Sequence, residues 1–240
     1  MKIPNRMTTT KNITICACSS RSFMPSVELA KLTVALRERG YNVTLHHDLC
    51  EAAQSKSAEL QEISTVVGCY ERAMHSIFTA GGAQKPRVLE LRGRTAYQVL
   101  QDLGITYEEY DQSKVNAVLE QIKAFPVKVA TDAWFPVIDR DKCIDCGKCH
   151  DFCLFGVYTI VDGHVEATSP QNCKNNCPAC ARVCPVEAVI FPKYEKAPIN
   201  GGTMAEDGAI KLDMESMYAD ALRSRLAQRR ASVMLFKDKK

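Results

Sequence analysis

Apolar and polar residues recur with two different periods along the first half of this chain. Ile13-Thr14-Ile15-Cys16-Ala17 is a short apolar run after a polar start, the pattern of a strand. Behind it Val27, Leu29, Ala30, Leu32, Val34, Ala35 and Leu36 give a broad apolar side to a helix capped by Ser26 and running to about Arg39. Glu28 falls in its first turn and Gly40 closes it. The pattern then predicts strands at 41–46 and 65–68, and a helix from Glu71 to about Thr79 stopped by Gly81-Gly82. A strand at 87–91 and a helix from Thr95 to Leu103, closed by Gly104, follow. Residues 114–123 read as a short helix with Val115, Val118, Leu119 and Ile122 on one side. Strand and helix in alternation predict an α/β layer domain with a partly parallel sheet over residues 11–125. The pattern leaves the strand order open.

Residues 126–138 lose this periodicity and read as an extended connector or edge strand. In the segment 139–198 the strand patterns 157–161 and 164–167 flank Asp162-Gly163, a strong hairpin signal. Asn200-Gly201-Gly202 begins a tail, 199–240, with a helix expected at 213–230. Its apolar stripe is Met214, Met217, Tyr218, Ala221, Leu222 and Leu226, and Arg223, Arg225, Arg229 and Arg230 make its end basic. Packing back onto the body and docking onto a partner subunit both account for that stripe.

Composition narrows the classes. Of 240 residues, 31 are Lys or Arg and 28 Asp or Glu, a net charge of +3 that gives no nucleic-acid footprint. A hydrophobic share of 46% excludes disorder as the main state. No apolar segment behind Met1-Lys2-Ile3-Pro4 suggests a secretory signal, and no run of about 18 apolar residues suggests a membrane span. A cytoplasmic protein is expected. Its 12 cysteines should then hold metal rather than disulfides.

Eight of those cysteines fall between Cys143 and Cys184 in two runs. Cys143, Cys146, Cys149 and Cys153 form CxxCxxCxxxC; Cys173, Cys177, Cys180 and Cys184-Pro185 form CxxxCxxCxxxCP. Zinc needs thiolates in two separated pairs and gains nothing from the third closely spaced cysteine, whereas a cubane has four iron corners to be met. These runs resemble the bacterial-type ferredoxins with two [4Fe-4S] clusters. The resemblance implies an α+β ferredoxin-like domain in which the last cysteine of each run serves the other cluster. Cluster I would be held by Cys143, Cys146, Cys149 and Cys184, and cluster II by Cys173, Cys177, Cys180 and Cys153. Two departures stand out: Leu154 follows Cys153 where the family usually has proline, and three residues rather than two separate Cys173 from Cys177. Hydrogen bonds and solvent exposure set cluster potentials, so the two need not match. His150, inside the first run, is expected at the surface, because the thiolates already suffice.

Cys16, Cys18, Cys50 and Cys69 are open to several readings. Free cysteines are often small buried hydrophobes. With parallel strands, however, all four gather beyond the carboxyl edge of the sheet, where open α/β sheets bind ligands. There they are candidates for a third cluster or a zinc ion. The pieces Cys16-Ala17-Cys18, Leu49-Cys50 and Val66-Val67-Gly68-Cys69-Tyr70-Glu71-Arg72 resemble the amino-terminal domain of the heterodisulfide reductase A subunit. That family's domain can carry its own cluster, which ranks Cys50 and Cys69 first, then Cys18, then Cys16. Its flavin domain has no counterpart, since no GxGxxG occurs.

Ser19-Ser20-Arg21-Ser22, between a strand and a helix, resembles the phosphate loop of small FMN-dependent reductases, although a helix-capping loop explains it as well. Cys16-Ala17-Cys18 is one residue too tight for a thiol-redox CxxC. The expected protein is an iron–sulfur electron-transfer protein or subunit working between protein redox partners, with iron bound through these cysteines and FMN not expected. No catalytic residue is assigned. The alternatives are a partner-binding adaptor of a larger oxidoreductase complex with a non-redox α/β domain, and an FMN-dependent reductase fused to a ferredoxin domain.

Overall fold

Four short strands, each followed by helical chain, build the first layer: β1 Asn12–Cys16, β2 Asn42–His46, β3 Thr65–Gly68 and β4 Arg87–Glu90. The computed structural model describes residues 11–107, 109–127 and 132–203. The expected helix at 213–230 and part of the 126–138 connector lie outside them. The strand order is β2-β1-β3-β4, and every neighbouring pair is parallel. The sheet is therefore wholly parallel. Its order reverses direction between β1 and β3, which opens a crevice beyond the carboxyl ends of those two strands.

Helix α1 (Ser26–Glu38) buries Leu29, Ala30, Leu32, Val34, Ala35 and Leu36 at once, so it is apolar on most sides. Thr33 is tolerated within it because its hydroxyl donates to the Leu29 carbonyl at 2.7 Å. Two details differ from expectation. Val27 faces solvent, and Pro25 occupies the cap position, with Ser26 already helical. A proline fits there because the first N–H groups of a helix lack intrahelical partners. A short helix that periodicity did not show, α2 (Leu49–Gln54), follows β2. It starts where the Asp48 carboxylate accepts from the Cys50 N–H at 3.0 Å. Helices α3 (Glu71–Ala80), α4 (Ala96–Asp102) and α5 (Gln112–Lys123) complete this layer. Thr95 and Gln98 cap α4 reciprocally, and Asp111 caps α5.

The second layer is smaller. β5 (Val137–Ile138) pairs antiparallel with β8 (Val189–Ile190), and β6 (Thr159–Val161) pairs with β7 (His164–Glu166). Asp162 and Gly163 turn that hairpin with φ of +51° and +85°, the left-handed pair a two-residue turn requires. Single-turn helices α6 (Lys148–Phe152) and α7 (Ala179–Arg182) carry the cysteine runs. Val137 and Ile190 join the core of the sheet layer, while Trp134, Val157, Tyr158, Val165 and Phe191 form a second core. Among the described residues no helix is long and apolar enough to cross a membrane.

Three basic residues fasten the layers. Arg92 donates to the carbonyls of Pro192, Tyr194 and Glu195 at 2.9, 2.7 and 3.2 Å, and its guanidinium lies 4.0 Å from the Phe23 ring centre. Arg72 pairs with Asp139 at 2.6 Å. Lys193 reaches Asp48 at 2.5 Å and Ser20 at 2.7 Å, with only 2% of its side chain and 4% of Asp48's exposed. Beside them Gly201, at φ +91°, lies so close to α3 that a Cβ would stand 2.7 Å from that of Ala73.

Removing one partner of a buried ion pair strands the other. Lys193→Met is therefore expected to lower unfolding stability by about 3–5 kcal/mol. Lys31→Met, which breaks the half-exposed Lys31–Glu28 pair, should cost about 0–1 kcal/mol. Anaerobic denaturation of both variants measures the contrast, and equal losses would contradict the buried position of Lys193.

Candidate metal centres

The eight carboxy-terminal cysteines are held by tight turns rather than by long elements. Cys143 follows β5, and its N–H donates to the Asp139 carbonyl at 2.9 Å. Asp145 (φ +49°) and Gly147 (φ +75°) turn the chain so that Cys146 and Cys149 follow on the same loop and first helical turn. Cys180 sits in α7 and Cys184 just beyond it. The result is two separate quartets. Cys143, Cys146, Cys149 and Cys184 line one cavity, walled by Ile138, Val165 and Val189. Cys153, Cys173, Cys177 and Cys180 line the other, walled by Val157, Tyr158 and Pro136. Cys184 thus lies with the first run, and Cys153 with the second. His150 is half-buried beside Asp151 at 2.9 Å and lines neither cavity.

The surroundings of the quartets differ. In the first, burial pushes the Cys149 thiol up to about 11 against the pull of nearby backbone N–H groups. Cys184 accepts from the Ala188 N–H at 3.2 Å. In the second, burial drives Cys173 and Cys180 to about 12. There the Tyr158 hydroxyl donates to the Cys180 sulfur at 3.1 Å from a buried position. Buried thiols crowded together without counter-charge resist ionisation, so metal loading must displace their protons.

Each quartet offers four thiol sulfurs around one cavity, the ligand number that a cubane with an iron at each of four corners takes.

The four amino-terminal cysteines also come together. Cys16 ends β1; Cys18 follows at φ +49°; Cys50 lies in the first turn of α2; Cys69 links β3 to α3. All are buried, at 4, 3, 5 and 4% exposure, over the crevice between β1 and β3. Burial raises each thiol, Cys69 to about 12, and each is raised further by other members of the group or by Asp48. Two cations act the other way. Lys193 favours the thiolates of Cys50 and Cys18, and Arg92 those of Cys69 and Cys18. The Leu49 N–H donates to the Cys16 sulfur at 3.4 Å.

The Ser19–Ser22 loop is committed to the chain itself. Ser19 donates to the Pro126 carbonyl, Ser20 to Asp48, and Arg21 to Asp132 and Asn175. Sequence reasoning had not singled out Asp48, Arg92, Tyr158 or Lys193 as part of these sites. Asp48, two residues before Cys50, carried a legible helix-cap signal. Nothing in the sequence places a lysine beside an aspartate 145 positions earlier.

Comparison with known proteins agrees with the second layer. A family model described as a 4Fe-4S binding domain matches residues 135–158. An uncharacterized ferredoxin of Methanocaldococcus jannaschii is 43% identical over 67 residues, 28% of this chain and 45% of the relative. A second uncharacterized ferredoxin of that organism is 39% identical over 58 residues, covering 23% of this chain and 74% of the relative. The pyruvate synthase subunit PorD of Methanothermobacter marburgensis is 43% identical over 54 residues, 22% of this chain and 60% of that subunit. The match thus spans less than half the length of the first of these relatives.

Thiolates, not thiols, are the nucleophiles toward alkylating reagents. In reduced, metal-free protein at neutral pH, exposed Cys146 should be alkylated first, and buried Cys16, Cys18, Cys50 and Cys69 last. Time-resolved peptide mass spectrometry reads the order. Labelling of Cys50 or Cys69 as fast as Cys146 would contradict the buried arrangement.

Proposed function

The chain belongs to the 4Fe-4S ferredoxin family, and we propose that it is an electron-transfer protein or subunit relaying single electrons between protein redox partners. One observation carries this reading: eight cysteines divide into two quartets, each around its own cavity. A [4Fe-4S] cluster in each would supply one-electron chemistry in which no substrate bond is made or broken. The chain's own residues supply ligands, hydrogen bonds and access. Ala188 and Tyr158 donate to one sulfur in each quartet. Access is through apolar edges: Ile144 is exposed beside the first quartet, and Phe152, Leu154 and Phe155 beside the second. Such edges suit contact with protein partners. The likeness to a pyruvate synthase subunit supports a place within an oxidoreductase complex. Twelve free cysteines suit a reducing cytoplasm.

The same reading extends to Cys16, Cys18, Cys50 and Cys69 as ligands of a third cluster. Four buried thiols at a topological switch point, faced by two buried cations, support it, as does the heterodisulfide reductase resemblance of these segments. Lys193 and Arg92 would offset the negative charge that four thiolates bring into a dry crevice.

Anaerobic iron and acid-labile sulfide content tests both parts. About twelve of each per chain is expected if three cubanes are bound, falling to about eight in Cys50→Ser and Cys69→Ser. Eight in the unmodified protein, unchanged by those substitutions, would leave the amino-terminal thiols without a cluster. Stoichiometric zinc in place of iron would overturn the electron-transfer reading.

A further inference from the structure

Tyr158 lies in the second core with Val157, Val165 and Cys180, and only 4% of it is exposed. Its backbone stands just ahead of β6, where the neighbouring Val157 carbonyl accepts from the Ser169 N–H at 3.1 Å. A phenylalanine would serve for the packing of the ring. What tyrosine adds is a hydroxyl taken out of water, and a buried hydroxyl is destabilising unless it is hydrogen-bonded. Among the hydrogen bonds of the described residues its partner is the Cys180 sulfur, at 3.1 Å. Cys180 is itself buried and held in α7, so the two groups are fixed by separate elements, 22 positions apart.

The chemistry of the two groups gives that contact a direction. A thiol and a phenol can each donate to the other. A ligand sulfur has lost its proton and can only accept, so in the loaded protein the bond runs from the Tyr158 O–H to the Cys180 sulfur. The corresponding bond in the first quartet, to Cys184, comes from the Ala188 backbone N–H. The second quartet thus has a donor that belongs to a side chain and can be removed with the backbone left in place.

We propose that Tyr158 is a potential-setting residue of cluster II: its hydroxyl donates to the Cys180 ligand sulfur and holds that cluster at a higher potential than the four cysteines alone would give. The inference rests on the electron-transfer reading and on Cys180 as a ligand. Reduction adds one electron from an external one-electron donor, and part of the added negative charge falls on the ligand sulfurs. A fixed O–H toward one of them strengthens as that charge grows, with no proton transferred, and so favours the reduced state.

The test is an EPR-monitored reductive titration of intact protein, with dithionite as donor. The cluster II signal is identified as the one altered in Cys177→Ser. Tyr158→Phe keeps the ring and removes the hydroxyl. It should retain its iron and lower the cluster II potential, so that the reduced-to-oxidised ratio at fixed poise falls about tenfold, or about 59 mV for a one-electron couple. Cluster I should not move. Full iron with no fall, or an equal fall at both clusters, would overturn the proposal. Should Tyr158→Phe lose iron, Tyr158→3-fluorotyrosine decides. That variant keeps the bond with a more acidic, stronger donor, and a rise in the cluster II potential alone is expected; its absence overturns the proposal. Failure of the underlying ligand assignment looks different: Cys180→Ser would then leave iron content and every signal intact, and the proposal would fall with the assignment.

Discussion

Lys193 and Asp48 meet at 2.5 Å with both side chains almost entirely out of water, where an unpaired charge is costly, and Asp132 adds a second buried carboxylate 3.7 Å from the Lys193 amine. Asp48 has a second task, since the same carboxylate starts α2 by accepting from the Cys50 N–H. Lys193 likewise touches Ser20, two residues beyond Cys18. One ion pair therefore fixes the loop after β1, the first turn of α2 and the segment after β8 against each other. The amino-terminal thiols are positioned by their own strands, but they are closed off by a residue of the other layer.

The same seam brings polar groups to the second quartet. Arg21 extends from the loop after Cys18 to Asp132 and Asn175, the latter between Cys173 and Cys177, and its guanidinium covers the face of Trp134. The lengthened interval between Cys173 and Cys177 thus provides a residue that anchors the loop to the sheet layer. The first quartet, by contrast, is bounded mainly by aliphatic side chains of its own layer. Two sites built on similar spacings have acquired different electrostatic surroundings because only one of them faces the seam so closely.

Much of this was legible in the sequence, because local chemistry dictates it. Thr65–Gly68 coincides with its expected span, the Asp162-Gly163 turn is where the dipeptide placed it, and the helix expected over 95–103 is found at Ala96–Asp102. The gathering of Cys16, Cys18, Cys50 and Cys69 followed from strand ends alone, once the strands were taken as parallel. The strand order was not legible, since it depends on packing between residues far apart in the chain. Nor was α2, whose six residues are too few to show a period. Ser26 was misassigned as a cap because its residue type fits, whereas the backbone enters the helix one position earlier. Lys193 and Arg92 carry no local signal. Their roles exist only once the two layers meet.

The long reach from Asp48 to Lys193 also orders events during synthesis. The two residues are 145 positions apart, and a ribosome adding roughly 5–20 residues per second needs on the order of ten seconds to span them. Once Cys69 has been added, Cys16, Cys18, Cys50 and Cys69 all exist in a nascent chain whose closing cation has not yet been made. Completion of the amino-terminal pocket consequently waits on a residue made well after the thiols that line it.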